Sequence, residues 1–161
     1  MATPEPQVID VEVEGAPLRL RWDPAQPSWE LVSAPDWSRL DGIRLVSALF
    51  EDGAALGVAA VRPRAASGHG DDVAVARFVD PEGVRIATSE ALLSVEYDAA
   101  HMPRRLGIEL WPDLDSAPLR VAADRDLHAD DPAPGGRDAV PMIFRLGGVA
   151  GRGTYETARG R

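Results

Sequence analysis

The clearest alternation of apolar and polar positions lies near the start of the chain, where residues 8–23 read VIDVEVE, GA and PLRLRWD. Both arms alternate apolar with charged residues, the pattern typical of a strand that is buried on one face and solvated on the other. Gly15-Ala16 fits a two-residue type II′ turn, which takes Gly first. The predicted antiparallel hairpin pairs Val13–Leu18, Val11–Leu20 and Ile9–Trp22 on the apolar side, and Glu12–Arg19 and Asp10–Arg21 on the charged side.

A second hairpin is predicted from Ile43–Phe50 and Ala54–Val61, joined at Asp52-Gly53, a pair favoured in type I′ turns. Its two arms are apolar at nearly every position, and the second arm is rich in Ala and Gly. Either burial on both faces or an open space above the small residues explains this composition.

Two more hairpins follow along the chain. Val73–Val79 and Val84–Thr88 flank Asp80-Pro81-Glu82-Gly83, which suits a type I turn with Pro at its second position. Ala91–Tyr97 pairs with Arg104–Trp111, and Glu96 then faces Arg105 as a cross-strand ion pair.

The remaining pattern favours an all-β protein. Later strand candidates are Leu119–Ala123, Met142–Leu146 and Thr154–Thr157, and turn residues recur about every ten positions. Ser28–Leu40 allows a turn or two of helix at most, because Pro35 limits its length. We therefore predict one domain over residues 1–161, an antiparallel lipocalin-like β-barrel or sandwich of about ten short strands.

Composition excludes several classes of function. The 17 basic residues are all Arg, and they stand against 26 Asp and Glu, for a net charge of −9. Such a chain repels phosphate backbones, so no nucleic-acid partner is expected. No apolar run approaches the ~18 residues of a membrane span, and no cysteine is present for disulfides or thiolate metal sites. Residues 1–6 lack the features of a signal peptide, which favours a cytoplasmic location.

Two His-x-Asp-Asp tetrads, residues 69–72 and 128–131, raise the question of a metal site. Imidazoles and carboxylates together suit a divalent cation such as zinc, manganese or iron. The alternative is two solvated acidic loops in an acidic protein, and we favour it. We predict that His69 and His128 lie too far apart to share an ion, and that the protein has no metal and no cofactor.

Two charged residues in apolar strands are candidates for chemistry. Glu109 would have a raised pKa and could act as a general acid or base if it lay against apolar groups. The strand alternation also places it on the same face as Glu96 and Arg105, which favours a solvated position. Arg145 lies in MIFRL and points either into a cavity, to pair with a ligand carboxylate, or outward from the sheet.

The large aromatic side chains indicate where a ligand cavity would lie. The chain is 45% hydrophobic but 6% aromatic, so its few rings should fill the largest volumes. Such rings more often belong to the core, as the hairpin register indicates for Trp22 and Phe50; the alternative is that they line a cavity. We predict an apolar pocket of the kind that binds small molecules. Its predicted ligand-binding residues are Trp22, Trp37, Tyr97, Trp111, Phe144 and Arg145.

The segment from Phe144 to Glu156, FRLGGVAGRGTYE, resembles the last hairpin of the lipocalin-like domains in the carotenoid 1,2-hydratase (hydroxyneurosporene synthase) group. These domains end in a strand, a Gly-rich turn and an aromatic-Glu pair. The resemblance covers about a dozen residues and implies an antiparallel barrel with an apolar cavity for polyenes, terpenoids or similar molecules. Its members usually carry two such domains, whereas this chain has room for one, and none of their catalytic motifs is found here.

Three functions remain open from the sequence. The leading one is binding of a small hydrophobic or amphipathic molecule in the barrel. The second is an enzyme for hydration, isomerisation or cyclisation, in which Glu109, Tyr97, His101 and Arg145 are the available groups. The third is a ligand-free homodimer in which the apolar hairpin Ile43–Val61 forms the contact.

Overall fold

The computed structural model describes residues 5–26, 28–65, 72–113, 115–128 and 138–159, and these form twelve β-strands and no helix. The strands are β1 (Gln7–Val13), β2 (Ala16–Asp23), β3 (Ser28–Leu31), β4 (Leu40–Phe50), β5 (Ala55–Pro63), β6 (Val73–Val79), β7 (Arg85–Thr88), β8 (Ala91–Tyr97), β9 (Pro103–Leu110), β10 (Leu119–Arg125), β11 (Asp138–Leu146) and β12 (Val149–Arg159). The all-β prediction is confirmed. The described residues contain no helix with the length and apolar character that a membrane span needs.

The first hairpin forms where predicted, but its strands pair two residues away from the expected register. The turn is Glu14-Gly15, with φ of 51° and 77°, as a type I′ turn requires. The observed pairs include Val11–Leu18, Ile9–Leu20 and Asp10–Arg19. The predicted Val13–Leu18, Glu12–Arg19 and Asp10–Arg21 pairs are therefore wrong. Because side chains alternate with a period of two, the two-residue shift leaves every side chain on its predicted face.

The other hairpins are confirmed, with different details at two points. After β4, Gly53 alone has a positive φ, 94°, so the turn is a type I turn followed by a glycine rather than type I′. Glu96 faces Arg105 across β8 and β9, but the Glu96 carboxylate bonds Arg104 at 2.7 Å. Arg105 instead pairs with Asp124 on β10, at 3.1 Å.

Nine strands form a nearly closed antiparallel barrel in the order β7-β6-β5-β4-β12-β11-β10-β9-β8. The end strands β7 and β8 are not paired with each other, and β8 instead approaches β6 and β5. The barrel interior is filled by an apolar core that includes Phe50, Leu56, Leu106, Ile108 and Phe144. The predicted barrel is thus confirmed.

A separate three-stranded sheet, β1-β2-β3, covers the outer face of the β4–β5 hairpin. Between the two sheets lies a second apolar core, which includes Leu20, Trp22, Ile43 and Val61. The β4–β5 hairpin is therefore buried on both faces, the first of the two explanations for its composition.

Candidate functional site

Strand alternation brings four polar side chains together inside one end of the barrel. On β4, Arg44 lies on the same face as the interior residues Val46, Ala48 and Phe50. By the same alternation Tyr155 of β12 and Tyr97 of β8 point inward, and Asp72 immediately precedes β6. The rest of the barrel interior is filled by apolar side chains. Within the described residues, the interior is therefore polar only at the end where these four residues lie.

These side chains line a cleft with a volume of about 380 Å³. The cleft is lined by Asp41, Gly42, Ile43, Arg44, Arg62, Asp72, Tyr97, Tyr155, Thr157, Ala158 and Arg159. Next to the cleft, Arg44 pairs with Ala60 across the ladder, and Ala60 pairs in turn with Ala74 of β6.

The guanidinium of Arg44 is held by contacts from two sides. Its Nη2 atom donates to Asp72 Oδ2 at 2.6 Å, and the two side chains are only 15% and 7% exposed. Its Nη1 atom donates to the backbone carbonyl of Leu93 at 3.4 Å. Arg44 therefore reaches from β4 to the end strand β8 at the place where the barrel lacks a backbone ladder.

Tyr155 supplies a buried hydroxyl group beside this guanidinium. The residue is fully buried, and among the described residues its hydroxyl oxygen has no hydrogen-bond partner. Burial raises the pKa of the Tyr155 hydroxyl, the nearby Tyr97 hydroxyl raises it further, and the Arg44 guanidinium lowers it. Both groups approach the Tyr155 oxygen, but neither reaches the geometry of a hydrogen bond. The net direction is upward, so Tyr155 is an uncharged hydrogen-bond donor at neutral pH.

A smaller apolar cavity of about 280 Å³ adjoins the cleft and shares Arg44 and Tyr97 with it. Its other walls are residues 92–95 of the end strand β8, which include Leu93 and Val95. Tyr97 is 46% exposed and lies where the two spaces meet. A ligand with a polar head group and a short apolar tail fits these two spaces, with the head in the cleft and the tail in the apolar cavity.

Of the six residues predicted to bind ligand, Tyr97 alone lines this cleft. Trp22 is in the core outside the barrel, and Trp37 packs against that core. Phe144 is in the barrel core, 6.5 Å from Phe50 between ring centroids. Trp111 is half-buried just after β9, at the other end of the barrel.

Arg145, the sixth predicted residue, lies on the outer surface of the barrel. Its Nη2 atom pairs with Asp124 Oδ2 at 2.7 Å, and its side chain is 59% exposed. Since Phe144 points inward, its neighbour Arg145 must point outward. Of the two predicted orientations, the Arg145 side chain therefore takes the outward one.

Sequence reasoning overlooked Arg44 and Tyr155. Arg44 lies in an apolar strand just as Arg145 does, and alternation already placed it on the same face as Val46 and Phe50. Tyr155 lies in the predicted strand Thr154–Thr157, but the isolation of its hydroxyl depends on which strands meet across the barrel.

The other candidates for chemistry lie apart from the cleft. Glu109 is half-buried on the outer face, 3.7 Å from Arg120, in agreement with the solvated interpretation. His101 is exposed in the β8–β9 loop, with φ of 61°. His69 and residues 129–131 are outside the described residues, so the two tetrads cannot be compared. Within the described ranges, no three His, Asp or Glu side chains are grouped as metal ligands.

Comparison with known proteins supports the fold. No family model matches the sequence, and no curated protein matches it. The crystal structure of a Nitrosomonas europaea protein provisionally named AttH (NE1406) is similar, with a TM-score of 0.57 and 15% sequence identity. The match covers 94% of this chain and 48% of NE1406, so the chain spans about half the length of that protein. The likeness concerns the fold, and the resemblance to the carotenoid 1,2-hydratase group stays a prediction.

Proposed function

We propose that the barrel binds a small amphipathic molecule in the cleft, with an oxygen atom of the ligand against the hydroxyl of Tyr155. The observation that carries the proposal is this buried hydroxyl, which has no partner among the described residues and lies in the cleft wall. A buried polar group left without a hydrogen bond costs ~1–3 kcal/mol. A ligand oxygen at this position would remove that cost.

The surroundings of Tyr155 support the same function. Arg44 is fixed by Asp72 and by the Leu93 carbonyl, so the cleft has a rigid polar wall before any ligand arrives. The adjoining apolar cavity along β8 offers Leu93 and Val95 to the ligand's hydrocarbon part. Burial of that part contributes roughly 25 cal/mol per Å² before ordering costs are subtracted.

The homodimer alternative was suggested by the apolar hairpin, which would have had to expose an apolar face. The apolar hairpin of β4 and β5 packs against the barrel interior on one face and against the β1-β2-β3 sheet on the other. Both faces are thus occupied within the chain, and ligand binding has the stronger support.

Calorimetric titration with 1-octanol and 2-octanone tests the proposal. The protein should bind both compounds saturably, and Tyr155→Phe should weaken binding about tenfold, the worth of one hydrogen bond in a desolvated site. Arg145→Ala serves as the matched control on the outer surface and should bind like the parent protein. Absence of saturable binding, or equal affinity in the parent and Tyr155→Phe, would refute the proposal.

A further inference from the structure

We infer that the ligand group received by this cleft is an uncharged carbonyl, as in a ketone, aldehyde or ester, rather than a carboxylate. This inference rests on the proposed function and specifies the ligand class of the same site. It follows from the charges that are already paired there and from the buried Tyr155 hydroxyl, which has no acceptor among the described residues.

Among the described residues, the buried part of the cleft carries one positive and one negative charge, which offset each other. The positive charge of Arg44 is matched by Asp72 at 2.6 Å, and both side chains are largely buried. A ligand carboxylate beside Arg44 would also lie close to the Asp72 carboxylate. Two like charges in a weakly solvated site oppose each other strongly, so the second anion is disfavoured.

The hydrogen bonds of Arg44 lead to the same conclusion. A guanidinium recognises a carboxylate best through two parallel N–H groups. Each terminal nitrogen of Arg44 already donates one of its two N–H groups within the protein, one to Asp72 and the other to the Leu93 carbonyl. A carboxylate that took the remaining pair would lie beside the Asp72 carboxylate that the same guanidinium holds.

Tyr155 provides the donor that suits a carbonyl oxygen. Its hydroxyl is buried and has no acceptor among the described residues. A tyrosine hydroxyl is protonated at neutral pH, and burial and the adjacent Tyr97 raise the pKa of this one further. One neutral O–H group matches the lone pair of one neutral oxygen without moving a charge out of water.

The remaining cations of the cleft are at its rim. Arg62 lies 4.0 Å from Asp41 and is 31% exposed, and Arg159 is exposed near the end of β12. Water and salt screen charges at such positions, so they attract anions weakly compared with a buried partner.

The test compares 2-octanone with octanoate, which have the same number of carbon atoms, by titration at neutral pH. We expect 2-octanone to bind at least about tenfold more tightly, and Asp72→Asn to strengthen octanoate binding by removing the opposing charge. Tighter or equal binding of octanoate by the parent protein would overturn the inference and leave the proposed function standing. If neither compound binds, the proposed function itself fails.

A second measurement does not depend on the folding of Asp72→Asn. The carbonyl carbon of bound [2-¹³C]-2-octanone should resonate further downfield in the parent protein than in Tyr155→Phe, because a hydrogen bond polarises the C=O group. Arg145→Ala should give the same bound signal as the parent protein. An identical bound signal in the parent protein and in Tyr155→Phe contradicts donation by Tyr155.

Discussion

The indole ring of Trp22 lies directly on the backbone of Gly57, so that a Cβ atom at residue 57 would lie 2.6 Å from the ring. The same indole donates its Nε1–H to the hydroxyl of Ser47, at 3.2 Å. Trp29, 6.3 Å away between ring centroids, donates to the carbonyl of Val46 at 2.8 Å. The β1-β2-β3 sheet is thus joined to the barrel by two buried tryptophans that fit against small residues of β4 and β5.

Gly57→Ala should therefore destabilise the protein. A methyl group at this position would overlap the Trp22 ring, and overpacking of this kind costs about 1–3 kcal/mol. Urea unfolding measures the loss. Gly148→Ala is the matched control, because a Cβ there meets nothing within 4 Å, and its effect should stay within about 0.5 kcal/mol. Equal stability of the two variants would disprove the close fit.

Glu14→Asn should stabilise the first hairpin. Glu14 has a φ of 51°, a region where Asn is favoured over Glu, and Asn-Gly is a preferred sequence for type I′ turns. The expected gain in the free energy of unfolding is about 0.5–1 kcal/mol, the usual size of such backbone effects. If instead the turn lay at Gly15-Ala16, residue 14 would belong to a strand and Asn would lower stability.

Removal of the Tyr155 hydroxyl should stabilise the fold while it impairs the site. Tyr155→Phe keeps the ring in the barrel core and deletes a buried oxygen that has no partner among the described residues. We expect the free energy of unfolding without ligand to rise by about 1 kcal/mol. A fall in stability on urea unfolding would show that the hydroxyl already has a partner in the free protein.

Asp98 should contribute to the acid sensitivity of the protein. The side chain of Arg125 holds the pKa of the Asp98 carboxyl below its ordinary value, aided by the amide groups of Met102 and Ala100. A lowered pKa in the folded state means that this contribution is present above the unfolded value, near ~3.9, and is lost as pH falls through the folded pKa.

Between pH 6 and about pH 2, the free energy of unfolding of Asp98→Asn should therefore decline less steeply than that of the parent protein. Urea unfolding at several pH values gives both curves. Parallel curves would mean that Asp98 binds its proton equally well in the folded and unfolded chains.

Alternation of apolar and charged residues predicted which face of each strand is buried, but it could not choose between registers two residues apart. For the first hairpin, the apolar face of Val11 and Leu18 is the same whether the turn is at residues 14–15 or 15–16. The choice depends on local turn geometry, in which Gly15 takes the second position and Glu14 adopts a positive φ.

The candidate site was less predictable because it depends on contacts between distant strands. Arg44 and Tyr155 are 111 residues apart, and they meet because β12 returns to pair with β4. The large aromatic side chains do fill large buried volumes, as expected: Phe144 lies in the barrel core and Trp22 in the core between the two sheets. Size alone could not distinguish a ring that packs in a core from one that faces a cavity.

The central claim is that the Tyr155 hydroxyl donates to a bound ligand, and NMR of tyrosine labelled with ¹³C at Cζ tests it most directly. The chain contains two tyrosines, so two signals are expected, and Tyr155→Phe assigns them. On titration with 2-octanone the Tyr155 signal should shift, and the shift should saturate with the affinity measured by calorimetry. The Tyr155 signal of Arg145→Ala should shift as it does in the parent protein. A Tyr155 signal that stays fixed while 2-octanone binds would contradict the account.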